Sequence, residues 1–142
     1  MKPKILLRIA SLAMILHLIG HTFGHLGWKK ATDPVKLEVI NQMTEHKFPF
    51  MGTTRSMGDY FDGFSYAASI SMILMAVILW IVAGSLKETA GLAFKIMVTL
   101  TICLFALSID EFIFFFPFAA CTTLFTAILT LIAIVQLKIQ KT

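Results

Sequence analysis

From Ile96 to Leu137 this chain runs through more than forty residues whose only charged members are the adjacent pair Asp110–Glu111. A chain of 142 residues has no soluble core large enough to bury such a run. Composition agrees: 58% of the residues are apolar and 14% charged, with a mean hydropathy of +0.85, whereas soluble domains are nearer 45–50% apolar. The chain therefore reads as an integral membrane protein. At about 20 residues per span it accommodates four helices and modest loops in one domain over residues 1–142, with no room for a second, soluble domain. The expected fold is all-α: a four-helix transmembrane bundle with a short amphipathic helix in its outer loop.

The spans fall at about 5–28, 62–84, 89–109 and 117–138. The first follows Met1-Lys2-Pro3-Lys4 as a secretory signal would, but it has no small-x-small site before Trp28 and contains histidines where a signal is uniformly apolar, so it is read as a retained span. Asp110–Glu111 is read as a tight turn, and Pro117 stands where a first helical position belongs. Residues 29–61 form the one long loop. Within it Asp33-Pro34 is a helix-start signal, followed by Val35, Val39, Ile40 and Met43 at helical spacing. Phe48-Pro49-Phe50-Met51-Gly52 is an apolar, turn-prone segment suited to the headgroup region or to capping the mouth of the bundle.

Charge sets the orientation. Lys2, Lys4, Arg8, Lys87, Lys95, Lys138 and Lys141 share one side of a four-span protein. Lys29, Lys30, Lys36, Lys47 and Arg55 share the other, where Asp33, Glu38, Glu45 and Asp59 nearly cancel them. By the positive-inside rule both termini are expected in the cytoplasm. The net charge of +4 lies at span ends and not in a basic patch interleaved with aromatics, so nucleic acid is excluded as a partner and the lipid bilayer is the expected one. Cys103 and Cys121 lack CxxC spacing and read as small packing residues.

His17, His21 and His25 recur every four residues inside the first span. On a helix each step drifts only about 40°, so the three imidazoles form one stripe climbing about 12 Å. Ionisable groups at membrane depth are costly and mark candidate functional sites. Gly20 and Gly24 lie beside the stripe as a small-xxx-small pair for close helix packing. Thr122, Thr126 and Thr130 make a hydroxyl row on span four, read as packing. Thr99, Cys103, Ala106 and Asp110 lie in line on span three, and both rows are expected to face span one. Asp59, Asp62, Asp110 and Glu111 gather at the outer end, so the polar residues form a funnel descending from His25 through His21 to His17.

This set suits proton transfer or metal binding, because histidine titrates closest to physiological pH and is a common metal ligand. His21 and His25 could share a divalent ion with Asp62, Asp110 or Glu111, leaving His17 as a relay; HExxH is absent. Haem is less favoured, since bis-histidine ligation usually uses facing helices. The alternatives are a metal-free acid/base membrane enzyme acting on a lipophilic substrate, a transporter enclosed by a homo-oligomer, and a non-catalytic accessory subunit docking a membrane partner.

The Gly20-His21-Thr22-Phe23-Gly24-His25 block, the Lys47-Phe48-Pro49-Phe50-Met51-Gly52 segment and four spans in about 140 residues resemble a group of small bacterial four-span inner-membrane proteins. The resemblance implies the architecture and a bacterial inner-membrane location, and it assigns no catalytic residue.

Overall fold

Four helices carry most of the chain: α1 (Pro3–Gly27), α3 (Met57–Ser85), α4 (Ala90–Phe114) and α5 (Pro117–Ile139). Between α1 and α3 lie a shorter helix, α2 (Pro34–Glu45), and a two-stranded hairpin, β1 (Lys47–Phe50) and β2 (Thr53–Ser56). This computed structural model describes residues 2–86 and 88–139; of the residues used above to set the orientation, Lys87 and Lys141 lie outside the described ones. Among the described residues four helices are long and apolar enough to cross a membrane, and the chain is a membrane protein with the expected all-α, four-helix fold.

The helix starts follow local rules. Pro3, Pro34 and Pro117 each open a helix, where the missing N–H costs no hydrogen bond. The Asp33 carboxylate accepts from the Lys36 N–H at 2.8 Å and caps α2. At the start of α3 the Asp59 carboxylate accepts from the Ser56 N–H at 2.9 Å, and the Asp59 N–H donates to the Ser56 hydroxyl at 3.1 Å. That reciprocal pair is a capping box.

Two helix bounds differ from the sequence reading. Asp110–Glu111 is no turn: α4 continues to Phe114, and only Phe115 and Phe116 separate it from α5. The acidic pair fits inside a helix because its members point apart, Asp110 exposed and Glu111 4% exposed. Helix α3 also begins at Met57, because the capping box starts it before the apolar run does.

The chain divides into two compact units, Met1–Gly20 with Ser71–Thr142 and His21–Ile70. The first holds parts of all four long helices. Its buried positions recur at three- and four-residue steps: Leu7, Ala10, Met14 and His17 on α1; Met97, Thr101, Leu104, Ser108 and Glu111 on α4; Ala120, Thr123, Ala127 and Thr130 on α5. Large side chains such as Leu12, Leu16, Phe125, Ile128 and Val135 face outward. On α5 the buried residues are mostly small and the exposed ones large, the packing expected in lipid, where close backbone approach, not exclusion of oil from water, draws helices together. The buried Ser11 hydroxyl ties α1 to α3 by donating to the Ala76 carbonyl at 2.7 Å.

In the second unit the hairpin closes through Met51 and Gly52, both at positive φ (47° and 81°), as a two-residue turn between right-twisted strands requires. Gly58, at the start of α3, sits where a Cβ would meet Thr44 Cγ2 at 2.9 Å and the Met43 carbonyl at 3.3 Å, so the end of α2 approaches α3 through the missing side chain.

Candidate proton site

His17 occupies the last buried position of the α1 stripe within the first unit and is 3% exposed. Its Nδ1 lies 2.9 Å from the Thr123 hydroxyl of α5, and its Nε2 lies 3.6 Å from Glu111 Oε1 of α4. The Thr123 hydroxyl also lies near the Glu111 carboxyl. Three helices thus bring an imidazole, a hydroxyl and a carboxyl together. Glu111 Oε2 is buried and has no hydrogen-bond partner among the described residues.

His17 Nδ1 and the Thr123 hydroxyl are hydrogen-bonded, while Glu111 Oε1 faces Nε2 at 3.6 Å, an ion-pair distance longer than a hydrogen bond. One proton added to a neutral His17 and an ionised Glu111 can sit on either side chain, and its transfer between them needs the pair to close by a few tenths of an ångström.

The other two histidines of the stripe belong to the second unit. His21 Nε2 lies 3.0 Å from the Ser65 carbonyl. His25 stands edge-on to Tyr66 with ring centroids 4.8 Å apart, and its buried Nδ1 is 3.8 Å from Asp62 Oδ1, beyond hydrogen-bonding distance. Asp62 is already engaged: Trp28 Nε1 donates to Oδ1 at 2.8 Å and Lys29 Nζ to Oδ2 at 2.7 Å. That pair of bonds ties the end of α1 to α3.

The remaining candidates take other places. Asp59 is a helix cap. Asp110 is exposed, as are Thr99, Cys103 and Ala106; the row expected to face span one points outward, and the buried face of α4 is turned by one residue. Thr126 and Thr130 are buried, and Thr122, Thr126 and Thr130 donate to carbonyls of their own helix, as packing threonines do. Gly20 lies against Phe118, 2.8 Å from where its Cβ would be, whereas a Cβ on Gly24 would meet nothing within 4 Å. His46 is exposed at the end of α2.

Among the described residues no three His, Cys, Asp or Glu side chains lie close enough to hold one metal ion, so the divalent ion expected at His21 and His25 finds no such set. Sequence reasoning missed Thr123, Trp28 and Lys29. The Ser56-x-x-Asp59 spacing was a legible sign of the cap, but nothing in the sequence singles out Thr123 from its neighbour Thr122.

Fold and site together define a four-helix membrane protein with a buried His–Thr–Glu group. No family model, curated protein or solved structure matches the chain.

Proposed function

We propose that this protein handles protons: a small four-span protein of the bacterial cytoplasmic membrane, both termini cytoplasmic, in which His17, Thr123 and Glu111 take up and release one proton. The observation that carries this reading is the pairing of two ionisable side chains, 3% and 4% exposed, at 3.6 Å within helices fit to span a membrane. Ionisable side chains buried inside a membrane bundle are costly, and they mark pathways for ions or protons. Among the described residues no third His, Cys, Asp or Glu stands beside the pair to complete a metal site. The bacterial location rests on the sequence resemblance, and the orientation on the excess of Lys and Arg at the ends carrying the termini.

Infrared spectroscopy of the protein in lipid vesicles tests this directly. A carboxylic-acid carbonyl band that disappears as pH rises and is missing from Glu111→Gln is expected, with the His17 ring-nitrogen resonances moving over the same pH range. A Glu111 band that does not respond to pH in folded protein sinks the proposal. So does near-stoichiometric metal, in protein never exposed to chelator, that is lost on changing His21 and His25 to Ala.

A further inference from the structure

We propose that the N-terminal end of α3 holds a phospholipid headgroup that carries both a phosphate and a primary ammonium. Helix length fixes the depth. At 29 residues α3 is about 44 Å long, against a hydrocarbon core of about 30 Å, so roughly 14 Å of it lies at headgroup level. Asp59, Asp62, Ser65 and Ser69 all fall in its first half, and from Ile70 to Gly84 it carries no charge, so the surplus belongs to the N-terminal end.

At that level a concavity of about 160 Å³ is lined by Arg55, Asp59, Tyr60, Gly63 and Phe64. Its size suits a headgroup and not an acyl chain. Both charges are held in place. Arg55 leaves β2 with Nη1 donating to the Thr54 carbonyl at 3.1 Å, which spares most of its five N–H donors. Asp59 is fixed by the capping box. Tyr60 is braced by Phe48, whose ring is stacked at 6.0 Å, and by the edge of Phe50 at 6.4 Å. The guanidinium fork matches a phosphate, and a carboxylate four residues on matches an ammonium that donates N–H bonds.

The hairpin tip points to the same surroundings. Met51 is 88% exposed and holds a positive φ that Asn or Gly would accept more readily. An apolar side chain at a strained, exposed turn only six residues before a membrane span fits a tip lodged at the lipid boundary.

The test is native mass spectrometry of the full-length protein in mild detergent, equilibrated with equal amounts of phosphatidylethanolamine, phosphatidylcholine and phosphatidylglycerol of matched acyl chains. Retention of phosphatidylethanolamine over the other two by about tenfold is expected, the worth of one charge-assisted bond. Asp59→Asn, which can still cap α3, removes the preference over phosphatidylglycerol; Arg55→Gln lowers retention of phosphatidylethanolamine itself. Excess soluble phosphoethanolamine displaces the lipid. Equal retention of the three lipids, variants that retain them as the wild type does, lipid that phosphoethanolamine cannot displace, or free phosphoethanolamine held more tightly than the lipid overturns the proposal.

Discussion

Removing the Thr123 hydroxyl while keeping its shape separates its bonds from its packing. Thr123→Val deprives His17 Nδ1 and the Glu111 carboxyl of a shared buried partner, and an unsatisfied buried polar group costs about 1–3 kcal/mol. Thermal unfolding in detergent is expected to show that loss for Thr123→Val and little change for Thr123→Ser. A larger loss in the serine variant than in valine would mean that the methyl group, not the hydroxyl, matters. The histidine half of this site is legible in the sequence, because three imidazoles at four-residue spacing declare a face. The carboxyl half is not. Asp110 and Glu111 are adjacent, so about 100° of helix rotation decides which one is buried, and only the packing of α4 sets that angle.

Two glycines test the helices of the second unit. Gly58→Ala forces Thr44 and the Met43 carbonyl away from α3 and is expected to destabilise the protein by about 1–3 kcal/mol, as overpacking does. Gly24→Ala meets open space in the last turns of α1 and is expected to stabilise it by up to about 1 kcal/mol through helix propensity alone. Unfolding curves for the two variants should move in opposite directions; a shift of the same sign in both would refute the account. Helix α2 was legible because Asp33 and Pro34 announce its start. The hairpin was not: Pro49 lies inside β1 and the turn is Met51-Gly52 in place of Asn-Gly, so neither strand nor turn chemistry gives it away.

Across the whole molecule, the proposed orientation places the hairpin outside the cell. In intact cells Lys36→Cys, exposed on α2 in the same loop, is expected to react with a membrane-impermeant maleimide, while Cys103 and Cys121, exposed but within α4 and α5, stay unlabelled. Labelling of Lys36→Cys only after the membrane is opened would reverse the topology. The four spans were the most legible feature, since length and hydropathy suffice to find them; which faces meet was not, because in lipid the apolar side chains lie on the outside as well. Helix α5 carries this furthest: Ala119, Ala120, Thr123, Ala127, Thr130 and Ala133 are buried while Phe125, Ile128, Leu131 and Val135 are exposed. Variation in this protein should therefore run opposite to that of a water-soluble one, with its bulkiest residues freely exchanged for one another and its alanines and threonines the positions that tolerate no enlargement.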